Sequence, residues 1–178
     1  MVENHQTGRY ALKEPYPPVK VSNRNVFYAQ LLLDDYASNT SELNAINQYL
    51  YHHFRFKNKN LNDIAELEKG ISIVEMNHLE ILAELILKLG GDPRYRGFRN
   101  NNNQYYNAGY VYYGSSILEM LAADIDAEKG AIIQYRQHIE QINDPYIKAI
   151  LQRIIKDEEY HFSLFSEAYQ RYQTATQV

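Results

Sequence analysis

The sequence predicts an all-α protein, a four-helix bundle with one long crossover between its second and third helices. Three observations carry that prediction. Four stretches place apolar residues at three- and four-residue steps, the period of a helix with one buried face. The connections between them run short, long, short. Each stripe is interrupted near its middle by a Glu or by a Glu-x-x-His, so charged groups recur where a core face should be apolar.

Residues 1–21 contain Pro15, Pro17 and Pro18 with little periodicity and read as an extended N-terminal arm ahead of a bundle domain at 22–178. Ser22-Asn23 supplies a capping signal for a first helix reaching about Phe56, with the stripe Tyr28, Leu31, Asp35, Ser38, Glu42, Ala45, Tyr49, His52, Phe56. A polar turn at 57–60 leads to a second helix, capped by Asn60 or Asn62 and stopped by Gly90-Gly91-Asp92-Pro93. Its stripe is Ile64, Glu68, Ile71, Glu75, His78, Leu82, Leu85, Leu89. Residues 94–113 are irregular and rich in Asn, Tyr and Gly. A stretch that long suits a crossover travelling the length of the bundle, with Asn100 to Asn103 a solvated loop. The third helix runs from about Ser116 to Ile142 on Ile117, Leu121, Asp124, Glu128, Ala131, Tyr135, His138, Ile142. Asn143-Asp144-Pro145 starts the fourth, which reaches about Tyr172 on Ile147, Leu151, Ile154, Glu158, His161, Phe165, Ala168.

Composition narrows the chemistry. The 178 residues suit one domain able to bury roughly 70% of its unfolded surface. A net charge of −4 offers no basic footprint for nucleic acid. No apolar run approaches the roughly 20 residues of a membrane span, and the N-terminus lacks a secretory apolar segment, so a cytoplasmic protein without a membrane partner is expected. Cysteine is absent, which excludes disulfides, thiolate catalysis and Cys-held metals or clusters. Any transition metal must rest on His, Asp, Glu or Tyr, a hard set suited to iron and manganese. The 17 tyrosines read as packing residues with a polar tip, a redox role for one or two being the alternative.

The two halves echo one another. Glu42 is followed seven residues later by Tyr49, and Glu128 by Tyr135; Glu75 precedes His78 by three, and Glu158 precedes His161 by three. Side chains at i and i+3 share a helix face. Pseudo-two-fold symmetry would then bring four Glu and two His together at mid-height, the ligand set of dinuclear carboxylate bundles. Four carboxylates and two neutral imidazoles sum to −4, which two divalent ions cancel. Without such compensation, carboxylates crowded in a dry core repel one another and take up protons.

The motifs Glu42-Leu-Asn-Ala-Ile-Asn-Gln-Tyr49, Glu75-Met-Asn-His78 with Leu87 to Pro93 behind it, and Asp157-Glu158-Glu159-Tyr160-His161 resemble the ferritin-like superfamily, nearest to bacterioferritin and rubrerythrin-type proteins. The resemblance covers residues from about 28 to 172. It implies a ferritin-like bundle with a two-iron centre, manganese being possible, on Glu42, Glu75, His78, Glu128, Glu158 and His161. Glu75 and Glu158 would bridge, Tyr49 would stand beside the metals as the catalytic side chain, with Tyr135 as its echo, and Asp157 would orient a ligating His. The implied activity is oxidation of Fe(II), reduction of hydrogen peroxide or dioxygen, or both, with an external electron donor. A dimanganese catalase-like enzyme, an iron-storage protein and a helical interaction bundle without enzymatic function are the alternatives. Met76 matches the haem-ligating Met of bacterioferritin, although a packing residue is the plainer reading and haem is not expected.

Departures from the family pattern shape further expectations. Residues 1–21 are an addition. The 17 residues after His161 are too few for the extra C-terminal helix of ferritin cages, so a homodimer is expected rather than a 24-subunit shell. Val74 stands where bacterioferritin has an Asp beside a ligand, so Asp124, one turn before Glu128, is the candidate substitute partner for a ligating His. Asp35 and Glu68 read as hydrated residues near the bundle ends. His52 and His138 read as satisfied core or rim histidines, with a proton or metal entry route as the alternative.

Overall fold

Short polar side chains set where the helices begin in the computed structural model of the chain, which describes residues 7–99 and 102–175. Ser41 accepts from the Asn44 amide at the start of α3 (Glu42–Asn58), and Asn25 does the same for Tyr28 at the start of α2 (Val26–Ala37). Ser116 and Glu119 form a reciprocal capping box at α5 (Ile117–Gln141). Asp144 Oδ1 accepts from Tyr146 and Ile147 as α6 (Pro145–Ala175) begins. The second long helix, α4 (Asn62–Leu89), has Leu61 at its cap with no side-chain bond, so neither Asn60 nor Asn62 caps it. Asn60 instead takes φ 59° to turn the chain out of α3, and Gly90 takes φ 89° to end α4.

The expected continuous first helix is two. Ser38-Asn39-Thr40-Ser41 breaks it, because these side chains bond to the backbone in place of the helical ladder: Ser38 Oγ accepts from the Thr40 amide at 3.1 Å, and Ser41 Oγ donates to the Ser38 carbonyl at 2.7 Å. The helix also starts later than Ser22-Asn23: the Ser22 amide donates to Asp144 Oδ2 at 2.6 Å, and Asn25 supplies the cap. Both α2 and α3 pack on α4, so the broken pair fills the place of one rod.

The crossover is more ordered than expected. Strands β1 (Arg96–Arg99) and β2 (Asn102–Tyr105) form an antiparallel hairpin, followed by a 3₁₀ turn at Ala108–Tyr110. Half of the Asn100 to Asn103 run lies outside the described residues, and the other half opens β2. Gly97 lets the hairpin sit on α2, where a Cβ would meet Asp34 Oδ1 at 2.7 Å. The N-terminal arm carries one helical turn, α1 (Thr7–Tyr10), and otherwise docks in extended form along α6. Among the described residues no helix is long and apolar enough to cross a membrane.

Two apolar clusters fill the interior. One gathers Leu32, Leu82, Leu85, Ile86, Ile147, Leu151 and Ile154; the other gathers Tyr49, Phe56, Ile64, Ile71, Leu121 and Phe165. Each fully buried side chain of this size contributes about 1.5–3 kcal/mol relative to exposure. Along α4 and α6, Glu75 and His78, and Glu158 and His161, fall between the two clusters. The layer that separates them is built of charge.

Candidate metal centre

Glu42 from α3, Glu75 and His78 from α4, Glu128 from α5, and Glu158 and His161 from α6 are all buried in that layer. They form two overlapping groups. Glu42, Glu75, His78 and Glu158 bring potential ligand atoms within 4.8 Å of one another, and so do Glu75, Glu128, Glu158 and His161. Glu75 and Glu158 belong to both.

Their oxygens divide between the two imidazoles. His78 Nδ1 lies 2.7 Å from Glu75 Oε2 and 3.0 Å from Glu158 Oε1. His161 Nδ1 lies 2.8 Å from Glu75 Oε1 and 3.7 Å from Glu158 Oε2. Glu42 Oε2 approaches His78 at 3.7 Å, and Glu128 Oε1 approaches His161 at 3.9 Å. Glu75 Oε1, Glu158 Oε1 and His161 Nδ1 make no hydrogen bond of normal geometry, although all three are buried. Donor atoms turned toward one another without bonding suit cations placed among them.

The outward nitrogens are held by the N-terminal arm. His161 Nε2 donates to the Tyr10 carbonyl at 2.8 Å; a carbonyl only accepts, so this nitrogen carries hydrogen. His78 Nε2 lies 2.7 Å from the Tyr16 hydroxyl, which itself donates to Asp157 Oδ2. Tyr16 therefore accepts from His78 Nε2–H. Both rings thus aim Nδ1 into the centre. Asp157 Oδ1 also accepts from the Leu12 amide at 2.9 Å and forms an ion pair with Arg153 Nη1 at 2.8 Å, and the Arg153 guanidinium lies 4.4 Å from the Tyr16 ring centre.

Electrostatics state what the pocket lacks. Burial, then the charges of Glu158 and Glu75, pushes the carboxyls of Glu42 and Glu128 well above the usual range. Burial works against a charged His161, but Glu75 and Glu158 outweigh it and raise its pKa to about 10. Burial likewise opposes an ionised Asp157, yet hydrogen bonds from His78, Tyr16 and Arg153 hold it at about 2. Glu42 and Glu128 thus hold protons where they would otherwise carry uncompensated charge, and cations placed among the six side chains would displace those protons.

Tyr49 and Tyr135 are buried on opposite sides of the layer. Tyr49 donates to Glu128 Oε1 at 2.6 Å, and Tyr135 donates to Glu42 Oε1. Met76 is 42% exposed on the outer face of α4, turned away from the cluster. Three expectations need correction. Asp124 partners neither imidazole of the centre; its carboxylate faces His52 Nδ1 at 2.9 Å and accepts from Gln48. Glu68 and Asp35 are not hydrated but buried, Asp35 pairing with His138 Nδ1 at 2.8 Å. Helices this long keep an enclosed interior well beyond mid-height. The roles of Tyr10, Tyr16 and Arg153 carry no sequence signal, since they depend on where an aperiodic arm docks.

Comparison with known proteins agrees with this architecture. Residues 38–175 match the Ferritin family, described as the ferritin-like domain. A protein of Clostridium acetobutylicum named as a probable manganese catalase is 31% identical over 168 residues, covering 84% of this chain and 73% of its own length. Bacterioferritin of Streptomyces coelicolor is 34% identical over 125 residues, covering 68% of this chain and 69% of its own. The crystal structure of KatB, a manganese catalase from Anabaena PCC7120, superposes with a TM-score of 0.81 at 27% identity, over 90% of this chain and 79% of that one. The X-ray structure of Desulfovibrio desulfuricans bacterioferritin, with its diiron site, gives 0.70 at 25% identity, over 83% and 81%.

Proposed function

The chain belongs to the ferritin-like domain family, and on that premise we propose that it is a dinuclear metal oxidoreductase consuming hydrogen peroxide or dioxygen. Fe(II) is the electron source when the pair is iron. The observation that carries this reading is the division of oxygens at Glu75 and Glu158, each turning one toward His78 and one toward His161. In this reading Glu75 and Glu158 would be shared between the two ions, with His78 and Glu42 holding one and His161 and Glu128 the other. A bound pair of iron or manganese ions supplies two electrons together, which avoids release of one-electron oxygen species.

The chain's own part is charge, orientation and exclusion of water. Its four carboxylates balance two divalent cations inside a layer that could not otherwise hold −4. The phenols of Tyr49 and Tyr135 hold Glu128 and Glu42 from the far helix, leaving each carboxylate its second oxygen to change position. Tyr16, Asp157 and the Tyr10 carbonyl keep hydrogen on the outward nitrogen of each imidazole, which leaves Nδ1 as the nitrogen a cation would take. The apolar clusters on either side limit access of bulk water.

A dimanganese enzyme converting two peroxides to dioxygen and two waters is the second reading, supported by the manganese catalase relatives that span 84% and 90% of this chain. Element-specific analysis of protein purified without added metal, followed by peroxide addition, separates the two. Iron, with Fe(II) consumed and no dioxygen evolved, supports the first; manganese with dioxygen evolved supports the second. Protein free of both metals, or full metal content in Glu158→Ala, overturns both. Light scattering tests the storage alternative, which requires a large symmetric shell.

A further inference from the structure

We propose that His52, Glu68 and Asp124 form a third cation site, separate from the pair, that takes a single divalent transition ion such as Fe(II) or Mn(II). All three side chains are buried, and each offers a ligand atom within 4.8 Å of the others. The site lies beyond Glu128 toward the start of α5, about 6 Å along the helix axis at 1.5 Å per residue.

The tautomer of His52 is the first argument. Its Nε2 lies 2.9 Å from the Tyr112 carbonyl, which can only accept, so that nitrogen carries hydrogen. Nδ1 is then turned inward, 2.9 Å from both oxygens of Asp124. His78 and His161 are arranged in the same way, each with Nε2–H anchored outside and Nδ1 directed at carboxylates.

Glu68 is the second. It is fully buried, neither of its oxygens has a hydrogen-bond partner of normal geometry, and the group it faces is another carboxylate, Asp124. An Asp124–His52 ion pair would balance its own charge and leave Glu68 with none to meet. Burial and the neighbouring Asp124 push the Glu68 carboxyl well above the usual range, so something positive must accompany it, a proton or a metal ion.

The other end of the bundle supplies an internal comparison. There Gln134 donates to Asp35 Oδ1 at 2.9 Å and Asp35 faces His138 Nδ1 at 2.8 Å, repeating Gln48 to Asp124 at 2.8 Å and Asp124 to His52. The position seven residues before Glu158 is Leu151, whereas the position seven before Glu75 is Glu68. The Gln–Asp–His unit is therefore complete without a second carboxylate. At the His52 end Glu68 adds one, giving one nitrogen and two carboxylates around a common point, a donor set for a borderline or hard divalent ion.

The test is anaerobic titration of metal-free wild type and Glu68→Leu with Mn(II), with anomalous diffraction from Mn(II)-soaked wild-type crystals. Three ions per wild-type chain, two per Glu68→Leu chain, and an anomalous peak among His52, Glu68 and Asp124 are expected. Leu occupies the equivalent place on α6, so the variant should fold; a thermal melt at or above wild type checks this. Two ions in both proteins, with an infrared band of a protonated carboxyl that Glu68→Leu removes, would mean a proton fills the site and overturn the proposal. Three ions in both would overturn it by placing the additional ion elsewhere. A peak at this site with none between Glu75 and Glu158 would uphold it while overturning the dinuclear reading.

Discussion

The Tyr49 hydroxyl reaches across the bundle to donate to Glu128 Oε1 at 2.6 Å, tying α3 to α5 through a carboxylate of the candidate metal centre. Tyr135 returns the tie to Glu42. Burial and then the facing carboxylate raise both phenols well above their usual range, which favours the protonated, donating form. Tyr49→Phe removes the donor but little volume. We expect metal-free protein to lose about 1–3 kcal/mol, the range for leaving a buried polar group without its partner. The ion on the His161 side should weaken, while Tyr135→Phe should weaken the ion on the His78 side. Urea unfolding and stepwise metal titration of the two variants measure this; identical titration curves would contradict the pairing.

Tyr16 stands between His78 and Asp157 and enters from the arm, outside the segment matched by the family. Tyr16→Phe leaves His78 Nε2 with only the 3.4 Å approach of Asp157 Oδ2. Loss of such an orienting partner typically lowers metal affinity 10–100-fold. Chelator competition should show a drop of that size with helix content unchanged. Unaltered affinity would mean the arm covers the centre without orienting it.

The convergence of Glu42, Glu75, His78, Glu128, Glu158 and His161 is legible in the sequence because helical period and half-to-half echo depend only on local spacing. The break at Ser38–Ser41 was equally local but was masked: Ser38 and Glu42 sit on the apolar stripe, so the period continues through a segment whose backbone does not. Asp124 could not be assigned from spacing, since one turn from Glu128 fits a partner of a ligating His as well as it fits His52. The arm is a different matter. Tyr10, Leu12 and Tyr16 reach residues more than 140 positions away at His161 and Asp157, and no periodicity connects them.

Gly70 makes the arm's seat testable without touching a candidate ligand. A Cβ there would lie 2.0 Å from Tyr10 Cε2, so Gly70→Ala requires the ring to leave. The Tyr10 carbonyl holds His161 Nε2, so displacement should be felt at the centre. We expect a cost of about 1–3 kcal/mol from overpacking, together with faster proteolysis within residues 7–16 and weaker metal binding on the His161 side. The compensating double variant Gly70→Ala with Tyr10→Ala should recover part of the stability but not the ring contact. Wild-type protease resistance in Gly70→Ala would show that α4 does not seat the arm.

The His138–Asp35 pair gives a pH dependence separate from the metal centre. Burial disfavours an imidazolium at His138, but Asp35 at 2.8 Å outweighs it, with a smaller contribution from Asp34, and the folded-state pKa is raised. The Gln134 amide also faces Asp35 and adds no charge. With the folded pKa above the unfolded value of about 6.5, the pair's contribution is fully present below that value. It declines as pH rises through the folded pKa and is absent above it. The difference in unfolding free energy between metal-free wild type and His138→Gln should therefore be largest near pH 6 and shrink steadily toward pH 9. A difference that stays constant over that range would show that His138 is neutral in the folded protein and that the pair is an ordinary hydrogen bond.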